Sequence, residues 1–60
     1  KGVFYQDRLK ALDLYKKAAA KGSARAATEV GRCYQRGIGA SSDRHEAKRW
    51  FEKARSLSQQ

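Results

Sequence analysis

The side chains of this sequence that could do chemistry are few and stand apart from one another. His45 is the only histidine and Cys33 the only cysteine, so no group of residues has metal-ligand spacing. Asp7 and Asp43 each stand where a helix is expected to begin, which explains them as N-cap residues. The Gly-x-Gly segment at 37–39 lacks the Lys-Ser/Thr end of a phosphate-binding loop and indicates a turn. We therefore expect no catalytic residue, no metal ion and no cofactor, and a Cys33 buried as a small hydrophobic group.

Charge is the other chemical feature of the chain. The 60 residues include 14 Lys and Arg against 6 Asp and Glu, which gives a formal net charge of +8. Such an excess makes an anionic partner worth considering, whether an acidic protein, nucleic acid or a membrane surface. On the middle helix, Arg25, Arg32 and Arg36 are seven and four residues apart, the spacing of a solvated helix stripe. This spacing favours an ordinary outer surface over a nucleic-acid site, without excluding the latter.

The elements that must position these side chains are helices. The apolar periodicity predicts three of them, at about 7–20, 23–36 and 43–57, and thus an all-α fold. Residues 1–6 are predicted to form a loop or a truncated turn, and Ser23 can cap the second helix. No apolar run approaches the ~20 residues of a transmembrane segment.

The middle helix is the element around which the others are expected to pack. Ala26, Val30 and Tyr34 are four residues apart and form one row along it. Gly31 lies beside that row and costs about 1 kcal/mol relative to alanine inside a helix. Its presence indicates that another helix comes close at this point. Gly37 follows the last helical residue, where a left-handed C-cap is expected.

The third helix repeats the first. Residues 7–11 match 43–47, and residues 14–18 match 50–54, at a constant offset that Ala11 and Ala47 set at 36 residues. A repeat of this length with two helices per unit is typical of an α/α solenoid built from antiparallel helix-turn-helix repeats. We therefore expect Ala11, Leu14, Tyr15 and Ala18 to form the packed face of the first helix, as their counterparts do on the third.

Residues 43–54 form the motif Asp-x-x-x-Ala-x-x-Trp-Phe-x-Lys-Ala, and residues 22–39 before it place glycines, alanines and an aromatic residue at fixed spacing. This pattern resembles the Sel-1-like repeat family, which is related to the tetratricopeptide repeats. The resemblance implies stacked helix pairs in a right-handed superhelix, with the first helix of each pair lining the concave face. It also implies a non-enzymatic scaffold or adaptor. The structural repeat positions are Ala11, Tyr15, Ala18, Ala26, Val30, Gly31, Tyr34, Gly37, Gly39, Ala47, Trp50, Phe51 and Ala54.

Two departures from the family pattern bear on domain organisation. Arg55 and Ser58 stand where small residues, alanine and glycine, are usual in the family, and both suit a polar final helix. At the other end, Phe4 and Tyr5 suggest a repeat upstream. We therefore expect residues 1–60 to be a single fragment of about one and a half repeats from the C-terminal end of an array.

The surface predicted to bind a partner is the face of the first and third helices turned away from the core. Its members would be neighbours on the concave side of a solenoid, and they are Leu9, Leu12, Asp13, Lys16, His45, Lys48, Arg49 and Glu52. Exposed Leu9 and Leu12 would either pack against an upstream helix or accept an apolar anchor of the partner. Lys48 and Arg49 would attract acidic side chains.

The sequence thus predicts a protein–protein interaction module or adaptor that presents a concave helical surface to a peptide or protein partner. The alternative is a binder of polyanions, nucleic acid or an anionic membrane surface, through the basic residues. The oligomeric state is left open, and an exchange of helices between copies is compatible with an unpaired third helix.

Overall fold

The computed structural model describes the backbone of residues 2–60 and the side chains of residues 6–60. Within this part of the chain there are three helices and no strand: α1 Gly2–Ala20, α2 Ala24–Arg36 and α3 Arg44–Ser58. The all-α prediction is therefore confirmed, and the bounds of α2 and α3 lie within one residue of those predicted.

The predicted start of the first helix is wrong. α1 begins at Gly2, so residues 2–6 are helical rather than a loop, and Asp7 lies on an exposed position inside the helix instead of capping it. The physical reason is that residues 3–6 contain neither proline nor glycine, and nothing there interrupts the backbone hydrogen bonding of a helix. The side chains of Phe4 and Tyr5, on which the upstream repeat was inferred, lie outside the described part of the structure.

The predicted caps of the other two helices are confirmed. The Ala26 backbone N–H donates to Ser23 Oγ at 3.1 Å, and the Glu46 backbone N–H donates to Asp43 Oδ1 at the same distance. Gly37 ends α2 in the left-handed conformation, with φ of 71°. These caps fix where α2 and α3 begin and therefore which side chains each helix presents to the other.

α2 and α3 form an antiparallel hairpin. The start of α2 packs on the end of α3 through Ala27 and Ala54, and farther along Trp50 packs against the cluster that contains the fully buried Val30. Gly31 confirms its predicted role, because a Cβ atom there would lie 2.7 Å from Cδ1 and Cε1 of Phe51. Such a distance is far inside van der Waals contact, so the glycine is what lets the phenylalanine ring lie on α2.

α1 packs on another side of α2, through a face that the sequence analysis did not select. Leu12, only 5% exposed, packs with Val30 and Cys33, while the buried Ala19 packs with small residues at the start of α2. In contrast, Leu14 is 64% exposed and Tyr15 39% exposed. The prediction of a packed face made of Ala11, Leu14, Tyr15 and Ala18 therefore does not hold for α1, where only Ala18 is partly buried.

The internal repeat explains this difference. The face that α1 leaves largely exposed corresponds, residue for residue, to the face through which α3 packs on α2, which consists of Ala47, Trp50, Phe51 and Ala54. The two equivalent helices therefore pack on α2 through different faces, α1 mainly through Leu12 and Ala19 and α3 through Ala47 and Ala54.

The loop between α2 and α3 also touches α1. Gly39 is buried with φ of 75°, and a Cβ atom on it would lie 2.7 Å from the backbone oxygen of Arg8. Asp43, at the end of the loop, donates its backbone N–H to the carbonyl oxygen of Tyr34 at 2.9 Å. The loop is therefore tied to α2 at its end and lies closely against the backbone of α1 at Gly39.

Candidate functional site

An open groove with a volume of about 1000 Å³ lies between α2 and α3. The side chains that line it come from these two helices and from Ser42 in the loop between them. Its floor is made of small and apolar groups, among them Thr28 of α2 and Ala47, Phe51 and Ala54 of α3. We refer to it below as the α2–α3 groove.

The rim of the α2–α3 groove is strongly basic. Four exposed cations line it, Arg25, Arg44, Lys48 and Arg55, against one carboxylate, Glu52. Among the residues that the structure describes, none of the four cations takes part in an ion pair. Their charges are therefore available to a ligand, and an apolar floor beneath them offers area to bury.

Local sequence places each of these cations. Arg44, Lys48 and Arg55 are four and seven residues apart, so they follow one face of α3. Arg25 lies in the first turn of α2, two residues after the Ser23 cap, and the antiparallel pairing brings it to the same end of the groove as Arg55. Because helix N-termini carry partial positive charge, Arg25 and Arg44 add to a potential that is already positive.

The four predicted partner-binding residues on α3 do not share one surface. Lys48 and Glu52 line the α2–α3 groove. Arg49 instead pairs with Glu46 at 3.5 Å, and both line a separate small pocket of about 330 Å³. His45 is exposed and lines neither of these two pockets.

The four predicted residues on α1 lie in different surroundings again. The expectation that Leu12 is exposed is wrong, because α1 turns this side chain into the core against α2. Leu9 is 40% exposed, and Asp13 pairs with Lys17 at 3.3 Å on the surface. The Lys16 ammonium lies 5.2 Å from the centroid of the Tyr34 ring, so this residue also contacts α2.

Sequence reasoning missed that Arg25, Arg44 and Arg55 share a groove with Lys48. The row of three on α3 could have been found from its spacing, since positions four and seven residues apart share a helix face. The addition of Arg25 could not, because it depends on how two helices far apart in sequence pack.

The thiol of Cys33 is buried as predicted, beside Leu12 and Val30. Burial raises the pKa of the Cys33 thiol above its ordinary value, and the negative charge of Glu29 raises it further. Both effects keep the thiol protonated and poorly nucleophilic. Within the described residues, no three His, Cys, Asp or Glu side chains come together as a metal site, and no helix is long and apolar enough to cross a membrane.

An antiparallel helix hairpin preceded by an equivalent helix defines a helical repeat protein of the solenoid class. A family profile described as the Sel1 repeat matches residues 1–23 and 24–58, and the chain belongs to the Sel1 repeat family. The second match spans α2 and α3, whereas the first covers α1. Searches against curated proteins and against solved structures returned no match. Sel1 repeats are non-catalytic modules that generally mediate protein–protein interaction.

Proposed function

We propose that this chain is a non-enzymatic interaction module that binds a peptide or helix of a partner protein in the α2–α3 groove. The observation that carries the proposal is the groove itself, which combines about 1000 Å³ of open volume with an apolar floor and unpaired cations on its rim. Membership of the Sel1 repeat family supports a protein rather than a small molecule as the ligand.

The dimensions of the groove set the size of the ligand. α2 has 13 residues and therefore runs for about 20 Å, enough for about three and a half turns of a bound helix. A contact of this size is at the small end of specific protein interfaces, so we expect a transient complex of about micromolar affinity. Of the surface predicted from the sequence, Lys48 and Glu52 would take part, whereas the buried Leu12 would not.

A pair of alanine-to-tryptophan variants tests this proposal. Ala24→Trp places a large ring in the groove, while Ala20→Trp places the same ring at the exposed end of α1, outside it. Helical peptides would be selected on the unmodified chain by display and then measured against both variants by fluorescence anisotropy. We expect Ala24→Trp to weaken binding at least about tenfold and Ala20→Trp to leave it unchanged.

Two results would overturn the proposal. Peptides that bind both variants equally well would place the binding surface elsewhere. The second result is that no peptide is selected and a labelled oligonucleotide still binds at about 0.15 M salt. Phosphate contacts weaken steeply with salt, so binding that persists under this condition would favour the polyanion alternative.

A further inference from the structure

The internal repeat shows what kind of element fits the α2–α3 groove. The α1 side chains that pack on α2 include Leu12 and Ala19, which are buried, and Lys16, whose ammonium lies over the Tyr34 ring. At the offset of 36 residues that relates α1 to α3, their counterparts are Lys48, Arg55 and Glu52. All three counterparts line the α2–α3 groove.

The groove is therefore the counterpart on α3 of the surface on which α2 sits in this structure. A helix can occupy such a surface, because α2 does so on α1 through small residues such as Ala26 and Ala27. The groove offers about 1000 Å³ of open space above alanines and Phe51, a lining that suits a helix with small residues on its contact face. The two surfaces differ in charge, because cations replace the two residues that α1 buries.

We propose, on the basis of the proposed function, that the ligand of the α2–α3 groove is an acidic amphipathic helix of a partner protein. This helix lies on α3 as α2 lies on α1, with carboxylates opposite Lys48 and Arg55. A purely apolar helix would cover these two cations without compensation, which is costly when charges lose contact with water. Carboxylates on the ligand convert the same cations into charge-assisted hydrogen bonds.

The positions of the cations specify the pattern of the ligand. Lys48 and Arg55 are seven residues apart, which is about 10.5 Å along α3, so carboxylates seven residues apart on a bound helix reach both. Glu52 lies between them along α3 and favours a neutral or basic residue on the ligand between its two carboxylates. Arg44 and Arg25 at the ends of the groove attract further acidic residues that flank this pattern.

The same charges argue against a second copy of this chain as the occupant. Each copy carries a formal net charge of +8, so two copies repel each other. A helix of a second copy would bring further arginines, such as Arg32 and Arg36 of α2, towards a rim that already holds four cations. The charge of the groove therefore favours a helix that carries acidic residues over a second copy of this chain.

The test uses two synthetic helical peptides of about sixteen residues, a length at which a helix begins to be stable alone. Both share an alanine and leucine face, and they differ only in two positions seven residues apart, which are glutamate in one peptide and glutamine in the other. Their affinity for the whole 60-residue chain is measured by fluorescence anisotropy at about 0.15 M salt. We expect the glutamate peptide to bind at least about tenfold more tightly than the glutamine peptide.

Two double variants locate the effect. Lys48→Gln with Arg55→Gln removes two charges from the groove, and Arg49→Gln with Lys53→Gln removes two charges from the part of α3 that lines the other pocket. We expect the groove variant to lose most of the preference for the glutamate peptide and the variant outside the groove to retain it. If both variants lost the preference for glutamate equally, the preference would come from long-range attraction alone, and the assignment of the site to the groove would be wrong.

The outcomes separate this inference from the function on which it rests. If both peptides bind equally well and Ala24→Trp blocks both, the groove binds helices without preferring acidic ones, and only the present inference fails. If neither peptide binds and the displayed peptides are also insensitive to Ala24→Trp, the groove is not a binding site and both proposals fail. A variant with Lys48→Leu and Arg55→Ala, which restores the residue types of α1, should instead prefer the glutamine peptide.

Discussion

The contact between the α2–α3 loop and α1 can be measured with two glycines of nearly identical conformation. Gly37 and Gly39 have φ of 71° and 75°, so replacement by alanine costs each of them a similar left-handed strain of about 1–2 kcal/mol. Their surroundings differ. A Cβ atom on Gly37 meets nothing closer than 3.5 Å, whereas one on Gly39 lies 2.7 Å from the backbone oxygen of Arg8.

Since the oxygen of Arg8 belongs to the backbone of α1, relief of this clash requires the loop or the helix to move. Forcing an extra carbon into a packed site typically costs about 1–3 kcal/mol. We therefore expect Gly39→Ala to be less stable than Gly37→Ala by about that amount. For a chain of 60 residues, whose total stability is about 3–9 kcal/mol on general grounds, this loss is large.

Urea unfolding followed by circular dichroism at 222 nm measures the two free energies, and alkylation of Cys33 reports where the damage occurs. Leu12 of α1 covers Cys33, so displacement of α1 should expose the thiol and accelerate its reaction in Gly39→Ala more than in Gly37→Ala. Equal unfolding free energies for the two variants would refute the reasoning, because they would show that the loop does not restrain α1.

Three further predictions concern the hairpin. Helix propensity alone would make Gly31→Ala more stable by ~1 kcal/mol, but we expect no such gain in stability because the new Cβ would lie 2.7 Å from the Phe51 ring. The gain should reappear in chains that carry Phe51→Leu, and a double-mutant cycle of urea unfolding measures it. Asp43→Ala should cost about 1 kcal/mol through loss of the α3 cap, and Asp43→Asn much less. Because burial raises the pKa of Cys33, the folded chain holds this proton to higher pH than the unfolded chain does. This contribution to stability is complete below the ordinary thiol pKa and is lost as the pH rises through the raised pKa. The free energy of unfolding should therefore fall between pH 8 and pH 10 by an amount that a Cys33→Ala chain does not show.

Features that depend on neighbouring residues could be predicted from the sequence. The caps at Ser23 and Asp43 and the end of α2 at Gly37 were predicted correctly, because capping is decided within a few residues. The exception was the start of α1, where Asp7 has the residue type of a cap but the backbone before it continues as a helix. The role of Gly31 was also predicted, since a glycine inside a helix indicates close approach whatever the partner.

The candidate site could be predicted only in part. Lys48 was assigned to a binding surface because it lies away from the packed face of α3, and the structure places it in the groove. Arg25 joins it there only through the antiparallel pairing of α2 with α3. Leu12 was misassigned because its counterpart on α3 is Lys48, and a shared register was taken to mean a shared environment.

The sequence by itself determined the three helices, the caps of α2 and α3, the 36-residue repeat and the membership of the Sel1 repeat family, because all of these are written in local spacing or in residue type. Only the tertiary structure decided which face of each equivalent helix is buried. α1 and α3 share a pattern, yet one packs through Leu12 and the other through Ala47 and Ala54. The reason is that burial depends on two surfaces that meet, so a repeated sequence pattern does not fix which face of a helix is buried.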